Sequence, residues 1–164
     1  MLLISRYDAD RIRRLMAGVL IGTRGTAFMR IFYEHLFDGA PELRPLFPIN
    51  MAAQERKLLL TISVVVKNLD RDEELGRLAL HLREVHEGIR VEEGHIEAFL
   101  GSLAFAFQRV HGSPFPRHDW LTLRRAVFSV SNLMLRVAAC PPRLAPNRFA
   151  GGGVNLPPAA ARRI

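Results

Sequence analysis

His86 is the residue best placed to do chemistry in this chain. Reading from Leu75 at about 100° per residue, Leu78, Ala79, Leu82 and His86 fall on one narrow arc of a helix. An imidazole on an apolar stripe is costly unless something holds its nitrogens. Gly88, two residues on, is a natural helix stop, so His86 projects from the last turn. That seat suits a neutral nitrogen ligating a buried metal. The plainer reading of a lone histidine on an apolar face is a core residue bonded to a backbone carbonyl, and it is the commoner one. One helix upstream, Gln54, Leu58, Ile62, Val65 and Leu69 form a second stripe that also starts on a polar side chain. Gln54 and His86 thus terminate inward-facing stripes on two consecutive helices.

The elements that must position them are helical, with few strand signals. The first helix is expected from about Ala9 to Leu20, opened by Asp8 or Asp10 as a cap. The second runs from about Gly25 to Phe37 and carries Phe28, Phe32, Tyr33 and Phe37. From Pro41 to Pro48 the prolines stop the helix while keeping Phe47 available for burial. Further helices are expected at about Met51 to Asn68, Glu73 to Val85, Glu92 to Val110 and His118 to Ala139. The fifth of the long helices buries Ile96, Phe99, Leu100, Leu103 and Phe107. Thr61 to Val66 is β-branched enough to favour a strand by propensity, but it lies inside the stripe from Gln54 to Leu69, and the stripe assigns a helix.

The ordered set Phe32-Tyr33, Pro41-Glu42-Leu43, Phe47, Gln54, Leu58 and His86 resembles the globins. More narrowly, it is similar to bacterial single-domain globins and the haem domain of flavohaemoglobins, over roughly Asp8 to Arg136. The resemblance implies an all-α globin fold whose helices pack around a pocket for haem b, iron protoporphyrin IX. It implies that His86 is the proximal iron ligand, Phe47 the haem-packing aromatic, and Tyr33 and Gln54 the distal pair. One nitrogen of His86 then binds iron while the other donates to a carbonyl on the preceding turn, that of Leu82. By the same resemblance Leu58 covers the iron, Val91, Phe99 and Leu103 line the porphyrin, and Lys57 and Arg90 meet its propionates. Ordinary core packing is the plainer reading of each apolar residue taken alone, and solvent exposure that of each basic one. The remaining histidines, His35, His81, His111 and His118, are expected at the surface.

What the resemblance implies about activity is reversible binding of dioxygen, with nitric oxide or carbon monoxide as further diatomic gas ligands, for storage or transport. Two alternatives stay open: a nitric oxide dioxygenase served by a separate reductase, and a globin-fold sensor or interaction module. No catalytic residue is assigned. One position departs from the pattern. Related globins commonly follow the histidine equivalent to His95 with a tyrosine that joins a proximal hydrogen-bond network, whereas this chain has Ile96, and Ser129 to Arg136 contains no carboxylate.

A chain of 164 residues with 49% hydrophobic side chains is expected to fold as one domain with one core. Residues 1–140 form the expected globin domain, and residues 141–164, with five prolines around Gly151 to Gly153, a flexible tail. The net charge of +7 invites a nucleic-acid partner, but the arginines are scattered and no basic stripe is interleaved with aromatics. A solvated basic surface is expected, with no nucleic-acid partner. Cys140 is the only cysteine, which excludes an intrachain disulfide framework. Arg6, Asp8, Asp10 and Arg11 follow the apolar Met1 to Ile4 without a signal cleavage site, and the run from Leu58 to Val66 is too short to span a bilayer. The expectation is a cytoplasmic monomer or homodimer without a membrane partner.

Overall fold

Ser5 opens the first helix earlier than the acids at Asp8 and Asp10 predict. Its hydroxyl accepts from the Asp8 amide at 3.1 Å and lies 2.8 Å from the Asp8 carboxylate, to which it donates, so cap and first turn hold each other. The computed structural model describes residues 4–89 and 91–138. These build α1 (Arg6–Leu20), α2 (Gly22–Gly39), a 3-10 helix (Pro41–Leu46), α3 (Ala52–Lys67), α4 (Asp72–Val85), α5 (Glu93–His111) and α6 (Arg117–Ala138). No strand occurs among the described residues. The expected break between globin domain and tail at residue 140, and Arg90, lie outside them.

The β-branched run is helical, as its stripe requires. Thr61 and Ser63 turn their hydroxyls back to the carbonyls of Lys57 at 3.0 Å and Leu59 at 2.7 Å, so neither competes for a ladder partner. Gly25, expected to start the second helix, lies inside it. A β-carbon there would stand 2.5 Å from the Leu20 carbonyl oxygen and 3.2 Å from Leu59 Cδ2. Glycine is required because α1 and α2 meet at a 90° bend and α3 crosses close above it. Among the described residues no single helix is long and apolar enough to cross a membrane.

The core forms where these helices cross. α2 lies along α5, α4 along α6, and α1 touches α2, α3, α5 and α6. Phe28, Phe32, Phe107, Ile12, Met16 and Leu123 are fully or almost fully buried at the crossings. α3 and α4 lean on other elements more than on each other. Space is left between them, and the apolar stripes predicted from Gln54 and from Leu75 both turn toward it: Ile62, Val65, Leu69, Leu75 and Ala79 are buried, while Leu58, Leu78 and Leu82 pack on the core from its edge.

Three ion pairs pin α1 across the molecule. Arg11 reaches Asp119 at 2.9 Å, and Asp119 is almost completely buried despite its place in the first turn of α6. Arg13 binds Asp10, Asp70 and the Lys67 carbonyl together. Asp8 pairs with His118 at 2.9 Å.

Candidate functional site

Two cavities occupy the space between α3 and α4, of about 340 Å³ and about 150 Å³, and both have His86 and Phe99 as walls. The larger is bounded by Phe47 and Gln54 on one side and Val91, Ile96 and Met134 on the other. The smaller runs inward past Leu58, Leu82 and Leu103 to Val127 and Val130 of α6. A third cavity, of about 410 Å³, lies against His86 with the charged side chains of Arg83, Glu84 and Glu87 in its wall.

His86 is the C-cap of α4. Its backbone amide bonds back to Leu82 and Arg83, and its Nδ1 lies 2.7 Å from the Leu82 carbonyl oxygen. A carbonyl only accepts, so Nδ1 carries a proton and Nε2 of the neutral ring is left with its lone pair. The turn then closes with the Ile89 amide on the His86 carbonyl at 3.0 Å, and Gly88 takes the left-handed φ of 83° that this reversal needs. Sequence geometry placed the imidazole on the stripe, and the backbone bond fixes which nitrogen is free.

Gln54 stands in the wall of the larger cavity, and Tyr33 is bonded to it from behind. The Gln54 amide nitrogen donates to the Tyr33 oxygen at 3.3 Å, which leaves the phenol hydrogen for another acceptor. Tyr33 is buried, and burial pushes its phenol up to about 12, against the opposing pull of the Gln54 hydrogen bond. Its ring packs edge-on to Phe32 at 5.1 Å and to Phe47 at 5.5 Å. Phe37 closes the cluster 5.3 Å from Phe47. Tyr33 and Phe37 are four residues apart on α2, so one helix face supplies both rings, and the prolines at 45 and 48 return the chain to bring Phe47 onto them.

Of the residues singled out in the sequence, the structure brings His86, Phe47, Gln54, Leu58, Leu82, Val91, Phe99 and Leu103 to the cavity walls, with Tyr33 directly behind Gln54. Lys57 is exposed on α3 and lines neither cavity. Met134, Val130 and Val127 were not singled out, although their spacing with Leu123 is a helical stripe that could have revealed them. His95 also lines the larger cavity, and its Nδ1 accepts from the Glu92 amide at 3.1 Å in a capping box. His35 is a correction: it is half-buried, bonded to Ser102 at 3.0 Å and stacked on Phe105 at 4.3 Å, because α2 packs along α5. His81, His111 and His118 are exposed.

The globin family model matches residues 30–131, a span from the middle of α2 well into α6 that contains the wall residues named above except Met134. The chain belongs to the globin family. No curated protein matches it. Globins generally bind haem, and the donor set of this globin fits that group. Among the described residues no cluster of three or more His, Cys, Asp or Glu side chains is placed to hold a metal ion. His86 offers one nitrogen donor at the cavity wall, and an apolar slot flanked by phenylalanines and leucines would suit a flat macrocycle carrying the metal's other donors.

Proposed function

We propose that this globin holds haem b against His86 and binds a diatomic gas there, dioxygen foremost. The observation that carries the reading is that His86 shares the wall of one largely apolar cavity with Gln54: its Nδ1 is committed to the Leu82 carbonyl, which leaves Nε2 as a ligand, and Gln54 is bonded to Tyr33. Phe47, Val91 and Phe99 in the wall of the larger cavity, and Leu58, Leu82 and Leu103 in that of the smaller, would hold the group by apolar packing. When bound, haem supplies an iron that takes up the gas reversibly.

The chain's own groups decide what happens next. The Tyr33 hydroxyl stays protonated throughout the physiological range and offers a hydrogen bond, and Gln54 keeps it aimed. The aromatic cluster excludes water, so hydrogen bonds to a partially charged ligand are strengthened there. His86 gives its proton to a neutral carbonyl rather than a carboxylate, and the buried Ile96 accepts nothing. A carboxylate partner would push electron density through the imidazole. With a neutral one, the arrangement favours holding the gas over activating it, in keeping with a binding globin.

The test is an absorbance scan of purified protein with stoichiometric hemin in ferric, ferrous and carbonmonoxy states. The parent chain is expected to give a globin-type spectrum in all three. His86→Ala is expected to lose it, or to recover it on adding imidazole. A normal spectrum in that variant would remove His86 as the ligand.

A further inference from the structure

Arg44 gives its hydrogen bonds to backbone instead of to a carboxylate. Nη1 donates to the carbonyls of Phe47 at 3.1 Å and Pro48 at 3.2 Å, and Nη2 to that of Ile49 at 3.5 Å. Three consecutive carbonyls between the 3-10 helix and α3 therefore converge on one guanidinium. The segment has no regular structure of its own, and Leu46, Phe47 and Pro48 wall the larger cavity. Its other side-chain bond among the described residues is Asn50 accepting from the Ala52 amide, at the start of α3.

The same guanidinium lies 5.2 Å over the ring of Phe37, whose own ring is 5.3 Å from Phe47. Arg44 thus braces the segment by its backbone and by its aromatic side chain at once. Arginine can do this because five donors on a rigid planar fork reach carbonyls lying in different directions. A lysine ammonium on a flexible stem has no such fork.

We infer that Arg44 is a positioning residue that clamps residues 47–49 over the cavity, keeps Phe47 against Tyr33 and Phe37, and sets how fast the prosthetic group enters and leaves. The last clause rests on the haem reading, and the clamp itself does not. Two measurements on the full chain separate them. In the first, hemin-free parent, Arg44→Gln and Arg44→Lys proteins are digested briefly with thermolysin, which cuts before apolar residues such as Ile49 and Met51, and the initial rate of cutting within residues 46–51 is read by mass. Cutting there is expected to be at least about tenfold faster in Arg44→Gln and intermediate in Arg44→Lys, with unchanged thermal midpoints. In the second, hemin-loaded proteins are mixed with an excess of a haem-scavenging apoprotein, and hemin loss is expected to accelerate by a similar factor.

Parental cutting rates in both variants would overturn the clamp. So would cutting that rises at every site together with a lowered midpoint, since the effect would then be global. Faster cutting with unchanged hemin loss would overturn control of the prosthetic group. A parent chain that binds no hemin would sink the haem reading instead, leaving the clamp to the digestion.

Discussion

At the scale of single residues, the site depends on two hydrogen bonds that fix two directions. The bond from His86 to Leu82 aims one nitrogen, and the bond from Gln54 to Tyr33 aims one hydroxyl. Removing the hydroxyl in Tyr33→Phe leaves the ring packing in place, so gas dissociation is expected to quicken by about tenfold or more, the worth of one hydrogen bond to a partly charged ligand. A parental off-rate measured by stopped flow would take Tyr33 out of the donor pair. Tyr33 also carries a pH signature. Its folded pKa of about 12 exceeds the ordinary 10, so it contributes stability that is complete below pH 10 and lost as pH rises toward 12. The alkaline limb of hemin-free Tyr33→Phe is expected to be flatter than the parent's across that window in denaturant titrations. His86, Gln54 and Leu82 were legible in the sequence because residues four apart share a helix face. His35 was not, because its burial depends on which helix α2 lies against, and periodicity is silent on pairing. Asp119 was hidden for the same reason: an acid in a first turn is ordinarily solvated, and this one is buried and paired with Arg11 from far along the chain.

At the scale of elements, the stripes set the helices and the ends followed other rules. α1 begins at Arg6 because the hydroxyl of Ser5 caps it. α5 ends one residue past Val110, where Gly112 adopts a left-handed cap. Such ends are decided by single side chains, so hydrophobic period alone misplaced them by a few residues. The contact that most limits how the elements assemble is the approach of Leu20 and Leu59 to Gly25. A methyl group there forces α1, α2 and α3 apart, since the nearest obstacle is a backbone oxygen. Gly25→Ala is expected to lower stability by about 1–3 kcal/mol in urea titrations despite its better helix propensity. A neutral or stabilising result would show that the three-helix corner gives way freely.

At the scale of the whole molecule, α1 works as a strap fastened by carboxylates. Burial, the largest single influence on Asp70, opposes its ionisation, but the Arg13 hydrogen bond and charge, with a backbone hydrogen bond and the Arg71 charge, together hold the carboxyl below the ordinary 3.8. The His118 hydrogen bond, helped by Ser5, does the same for Asp8. A depressed folded pKa gives stability that is present above the ordinary value and disappears as pH falls below it, so the strap should loosen in acid below about pH 4. Asp70→Asn is expected to flatten that acid limb, and thermal melts from pH 5 to pH 2 that run parallel to the parent's would exclude the contribution. The cavities have a different consequence at this scale. A chain that encloses unfilled volume unfolds with a decrease in volume, and hydrostatic pressure pushes every equilibrium toward the denser side. The inner cavity behind Leu58 and Leu103 therefore ties resistance to compression to the proposed prosthetic group: hemin-free protein is expected to unfold at lower pressure than hemin-loaded protein.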